Sequence, residues 1–225
     1  MGIKPSKYNC AFCNVRGCYH NKMDEVKMKT CPTKHEGEIL KDIEKEYKDT
    51  ETNEIAKVSA EVVMDNYGKK TRLEETIDFC RKMGYEKLGL AFCYALREEA
   101  LEFAKIMIKE GFQVESLMCK MGRIDREVIG VKDFPIPLCN PIAQAEFLNK
   151  EKTDFNIIIG LCVGHDTLFI KHSDAPVSIF AVKDRALNHN PILGLKLYND
   201  KNKTSIWCLI FLILILLFFL SLFLK

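Results

Sequence analysis

The chain has little net charge, few special backbone residues and one tryptophan. Its 33 basic and 31 acidic residues leave a formal charge of +2. So small an imbalance gives no bulk electrostatic basis for binding nucleic acid. Lysine runs such as Lys27–Lys29 and Lys69–Lys70 are interleaved with acids and read as solvated surface. No Walker lysine loop and no G-x-G-x-x-G fingerprint occurs, so no motif supports a nucleotide. There is no internal repeat and no low-complexity tract, which argues against a solenoid or a disordered tail. Met1–Tyr8 is polar and holds no apolar stretch of the kind a secretory leader needs. A reducing compartment is therefore expected.

What the chain does have is cysteine, ten in 225 residues. Four fall in the pattern Cys10-x2-Cys13-x4-Cys18-x12-Cys31-Pro32. In a reducing compartment, clustered thiols hold metal more often than they form disulfides. A tetrahedral ion or an iron–sulfur cluster needs four soft, anionic ligands. Cys10 and Cys13 supply two from one tight turn, and Cys18 and Cys31 complete the set. The expectation is zinc or an iron–sulfur cluster at Cys10, Cys13, Cys18 and Cys31. Residues 1–33 carry too little apolar content to fold on burial alone, so the metal would order them.

The rest reads as a helical lead-in followed by an α/β domain, together spanning residues 34–198. Ile39, Leu40, Ile43 and Tyr47, then Ile55, Val58, Val62 and Val63, recur at helical spacing over His35–Tyr67. Thr71-x-x-Glu74 is a capping box that opens a third helix, which Gly84 ends. Lys87–Cys93 is an apolar run suited to a buried strand. Arg97–Glu110 is helical, and Phe112–Met118 is a second strand. Strand, helix, strand over so short a stretch is a βαβ unit, which requires parallel pairing. Asn140-Pro141 opens another helix. Phe155–Leu161 and Val177–Val182 are two further strands, with a helix at Asp166–Lys171 between them. The expected fold is an open, mostly parallel α/β sheet of at least four strands flanked by helices.

Placed on that fold, the remaining cysteines gather. Cys93, Cys119 and Cys162 each follow a strand, and Cys139 precedes the Asn140-Pro141 helix. Ligands of open parallel sheets bind at the carboxyl edge of the strands. The expectation is a second site from Cys93, Cys119, Cys139, Cys162 and His165, with Cys119, Cys139 and Cys162 sharing one centre, a second iron–sulfur cluster. Cysteine also fills core positions readily, and Cys80, inside a helix, is assigned there. Gly160-Leu-Cys162-Val-Gly164 has the loose form of a nucleophile elbow. A Cys162 hydrolase would recruit His189 with Asp174 or Asp184.

Several of these segments carry a resemblance. CAFC with the following Cys18 and Cys31-Pro32, CKMGRID (Cys119–Asp125), CNPIAQAEFLN (Cys139–Asn149), GLCVGHD (Gly160–Asp166) and APVSIFAVKDRALNHNP (Ala175–Pro191) resemble the prokaryotic family of domain of unknown function 1847. Its members are described as metal-binding. The resemblance covers roughly residues 8–198 and implies a metal-binding, cysteine-rich α/β protein without an assigned reaction.

The far end differs in kind. After a polar linker, residues 199–205, Ile206–Leu224 is apolar but for Ser221. At about 1.5 Å per residue such a run just spans a hydrocarbon core. Lys196, Lys201 and Lys203 precede it and Lys225 follows, which keeps the globular part cytoplasmic. The expectation is a C-terminal membrane anchor. The functional expectation is a metal-binding protein with a redox or electron-transfer role. The alternative is a membrane-anchored metal-binding or sensing module with a structural zinc.

Overall fold

The computed structural model describes residues 6–198, with the Asn66 side chain excepted. The membrane span expected at Ile206–Leu224 lies outside the described residues. Among the described residues, no helix is long and apolar enough to cross a membrane. The chain divides into two compact units between Tyr67 and Gly68.

The first unit contains the cysteine-rich segment and two longer helices. A 3-10 turn at Cys10–Phe12 is followed by two single-turn helices, α1 (Gly17–His20) and α2 (Pro32–His35). Pro32 sits at the first position of α2, where its missing N–H costs nothing. Gly17 is needed because a Cβ there would lie 2.6 Å from Val26 Cγ2 and 2.8 Å from the Lys22 carbonyl oxygen. α3 (Gly37–Glu46) and α4 (Thr50–Asn66) follow, the latter capped by Asp49, which accepts from Thr52 N at 3.0 Å. Val26, Cys31, Val58 and Val62 are buried.

The second unit is a three-layer α/β/α domain. β1 (Lys87–Phe92), β2 (Gln113–Met118), β3 (Phe155–Ile159) and β4 (Val177–Ala181) form one parallel sheet in the order β2-β1-β3-β4. The expected capping box is present at the start of α5 (Arg72–Lys82). α6 (Arg97–Lys109) crosses from β1 to β2, α7 (Pro141–Glu151) lies between β2 and β3, and α8 (His165–His172) between β3 and β4. Residues 191–198 are also helical.

Alternation along the strands separates two cores. Leu88, Leu90, Ile157 and Ile159 pack with Ile77, Ala100, Phe103 and Met107 from α5 and α6. Ala91 and Ile158 pack with Ala145, Leu148 and Phe169 from α7 and α8. Gly89 faces the second layer, where a Cβ would lie 1.9 Å from Asn156 Oδ1 and 2.7 Å from Leu148 Cδ1. Cys80 is fully buried in the first core, and burial pushes its thiol up to about 12, so it is inert packing, as expected.

Candidate functional site

The sheet order places a topological switch point between β1 and β3, because the chain leaves β1 for one side and returns to the other. In open α/β sheets the crevice beyond that point is where ligands bind. The first residues past the four strands supply the chemistry there. Cys119 follows β2 directly, Cys93 follows β1, Cys162 comes after β3, and Lys183 comes after β4.

Cys93 and Cys119 continue the strand register. Phe92 and Met118 are paired across β1 and β2, so the two cysteines are the next pair. The ladder carries on, with Cys119 N donating to the Phe92 carbonyl at 2.9 Å and Cys93 N to the Ile159 carbonyl at 3.1 Å. Gln144, fully buried on α7, braces this end of the sheet. Its Nε2 donates to the Leu117 carbonyl at 2.6 Å and to the Phe92 carbonyl at 3.3 Å. The Lys183 ammonium donates to the Cys93 sulfur and lies 3.9 Å from the Cys162 sulfur. It therefore bridges the two sides of the switch point.

Charge within the pair is unequal. The neighbouring Cys119 thiol and then the Lys183 ammonium favour the charged form of Cys93, and together they outweigh burial and pull it down to about 5. Cys119 is pushed up, because ionising it beside Cys93 would bury a second negative charge. The Tyr94 N–H donates to the Cys119 sulfur at 3.3 Å.

Gly160 lets the β1 and β3 ends approach. Its φ is +63°, and a Cβ there would lie 1.8 Å from Leu96 Cδ1. Past the turn, His165 N donates to the Cys162 carbonyl at 2.8 Å and begins α8. Burial lowers the His165 imidazole pKa, reinforced by the positive charge of Lys120 and opposed by Asp166 and Cys93. Cys139 returns to the same edge by a closed loop. Asn140 N donates to the Cys119 carbonyl at 2.8 Å, and Cys139 packs against the layer containing Cys93 and Cys119.

All five residues expected at the second site therefore gather at the carboxyl edge. Among the described residues, no three or more His, Cys, Asp or Glu side chains make a group that could hold a metal ion, either at this edge or among Cys10, Cys13, Cys18 and Cys31. A lysine cation lies against Cys93 and Cys162. Lys183 is the residue the sequence reading missed. The signal available was its position, beyond the last strand, by the rule that selected the cysteines.

The elbow geometry is not there. The positive φ angles fall on Gly160 and Gly164 and not on Cys162. His189 Nδ1 accepts from Asp184 N at 3.1 Å, and the Asp184 carboxylate caps Ala186 N and Leu187 N, so both serve their own turn.

The N-terminal thiols lie in the first unit. Cys10, Cys13, Cys18 and Cys31 all line one cavity of about 580 Å³, together with Arg16. Cys13 N donates to the Cys10 carbonyl at 3.0 Å, closing the turn between that pair. The Cys18 sulfur lies 3.1 Å from Thr33 Oγ1 and 3.8 Å from Met23 Sδ. The donor chemistry suits a thiophilic metal, but the cavity is broader than one ion requires.

Fold and site together define an α/β protein with a thiol cluster at its switch point. Residues 31–180 match the family described as protein of unknown function (DUF1847), and the chain belongs to that family. The match includes Cys31, Cys93, Cys119, Cys139, Cys162 and His165 and leaves Cys10, Cys13 and Cys18 outside it. An uncharacterized protein of Methanocaldococcus jannaschii is 46% identical over 185 residues, covering 80% of this chain and 90% of that protein. No solved structure matches.

Proposed function

We propose that this chain is a metal-binding, thiol-based redox protein. Cys10, Cys13, Cys18 and Cys31 hold a zinc ion or an iron–sulfur cluster. The observation that carries this is the convergence of all four thiols on one cavity. Cysteines at i and i+3 in a tight turn are a common way to supply two ligands. The broad cavity suits either a segment that contracts on binding a single ion or a group larger than one ion. A cluster there would supply one-electron transfer, and zinc would supply structure.

The carboxyl edge of the sheet enters this reading as the reactive site, in thiol form. The Lys183 ammonium disfavours a second cation between Cys93 and Cys162. Residues 206–224, apolar in sequence, would tether the protein to a membrane with the sheet on the cytoplasmic side.

Metal and acid-labile sulfide content of the full-length chain, purified without oxygen, tests the proposal. Wild-type protein is expected to carry a stoichiometric metal that Cys13→Ser and Cys31→Ser lose. Metal-free wild-type protein, or equal loading of the variants, overturns it. Iron with sulfide selects the cluster, and zinc alone selects the structural alternative.

A further inference from the structure

We propose that Cys93 and Cys119 form a dithiol–disulfide couple that reduces small disulfides at the carboxyl edge of the sheet, with the Lys183 ammonium holding the attacking sulfur. The inference deepens the redox part of the reading above and uses none of the N-terminal thiols.

Three observations carry it. The two cysteines follow the register pair Phe92 and Met118 on neighbouring parallel strands. Neighbouring strands lie about 4.7–4.9 Å apart, within the roughly 4.4–6.8 Å that a disulfide spans between Cα atoms. The register puts both side chains at neighbouring positions on one face of the sheet, where they share a core. Second, the partners are unequal. Cys93 takes the Lys183 ammonium, while Cys119 takes the neutral Tyr94 N–H. That is the division of labour between an attacking and a resolving thiol. Third, Cys93 is 5% exposed and Cys119 2%, whereas Cys162 beside Lys183 is half-buried. So recessed a sulfur excludes a disulfide on a folded protein surface and leaves a small molecule as the substrate class.

The exchange balances as follows. The Cys93 thiolate attacks one sulfur of the incoming disulfide, its S–S bond breaks, and the departing thiolate takes the Cys119 proton. The Cys119 sulfur then attacks the Cys93 sulfur, breaks the mixed disulfide and expels the second half of the substrate, which is protonated by solvent. The dithiol is oxidised and the substrate is reduced to two thiols. Lys183 stays charged throughout. A low-molecular-weight thiol, running the same steps in reverse, restores the dithiol.

The test uses the reduced full-length chain, equilibrated with bis(2-hydroxyethyl) disulfide and 2-mercaptoethanol at graded ratios, quenched in acid, alkylated and mapped by peptide mass. The expected product is a reversible Cys93–Cys119 disulfide. Cys119→Ala is expected to stop at a mixed disulfide on Cys93. Lys183→Met is expected to slow capture at pH 6 about tenfold or more, while Lys183→Arg stays within a few-fold and separates lost charge from a damaged fold. Oxidation confined to other cysteines overturns the proposal, as does a mixed disulfide elsewhere in Cys119→Ala or an unchanged rate in Lys183→Met. Metal is assayed on the same sample. Metal-free protein with intact exchange removes the N-terminal centre and sustains the couple; loaded protein with inert Cys93 and Cys119 removes the couple alone.

Discussion

Lys183 and Cys93 are 90 residues apart in the chain, yet the lysine ammonium donates to the cysteine sulfur. β1 and β4 are not neighbours in the sheet, since β3 lies between them. The lysine reaches over the end of β3, past Cys162, and ties three strand ends to one charge.

The neighbouring Cys119 thiol and that charge together set a pH dependence. Alkylation of Cys93 by iodoacetamide is expected to rise through about pH 5 and stay flat to neutrality. In Lys183→Met the rise moves toward the ordinary thiol value of about 8.5. The stability sign follows. The folded value of Cys93 lies below the unfolded one, so its contribution is complete above about pH 8.5 and is lost as pH falls toward 5. Cys119, held protonated, contributes in the opposite sense, completely below about pH 8.5 and decreasingly above it. Rate–pH profiles by mass spectrometry check the first point. A Cys93 that begins to react only near pH 8.5 in wild-type protein removes the thiolate assignment.

Gly160→Ala is expected to destabilise the protein by about 2–4 kcal/mol. The new Cβ would meet Leu96 Cδ1 at 1.8 Å in a backbone conformation with φ of +63°. Denaturant unfolding measures the loss. Because Leu96 follows Cys93 and Gly160 precedes Cys162, Cys93 reactivity should fall with it. A change within 0.5 kcal/mol, roughly the scatter of surface substitutions, would falsify the close approach.

Gln144→Leu removes both donations to the ends of β1 and β2 while preserving apolar volume. A cost of about 1–2 kcal/mol is expected, since a buried carbonyl loses its partner. If Gln144 positions the cysteine pair, the Cys93–Cys119 disulfide also becomes easier to reduce, read from its thiol–disulfide equilibrium. Unchanged redox behaviour alongside lost stability would reduce Gln144 to a structural brace.

Chelation is expected to act on one unit. Removing metal should expose residues 6–67 to protease, because that segment has few buried apolar side chains, while the sheet unit resists. Limited proteolysis with mass mapping checks this. Cleavage at the same sites and rates with and without chelator would contradict a folding role for the metal.

Much of the second unit was legible because its signals are local. Thr71 and Glu74 specify a capping box by spacing alone, and Asn140-Pro141 a helix start. Apolar runs such as Phe155–Ile159 are buried strands, and their βαβ spacing requires parallel pairing. The position of Cys93, Cys119 and Cys162 at one edge followed from that topology. Their partners did not. Whether Cys119 would meet Cys93 or Cys139 depends on strand register, and residue types do not encode it by themselves.

The sequence by itself determined the parallel α/β class, the helix caps and which edge of the sheet holds the thiols. These rest on periodicity and chain direction, which local steric and hydrophobic rules fix. Only the tertiary structure decided that Cys93 and Cys119 are paired, that Gln144 braces their strands, and that Lys183 stands against Cys93 and Cys162. Each of those joins groups far apart in sequence, and in a packed domain the choice among many distant partners is made by strand order and register together.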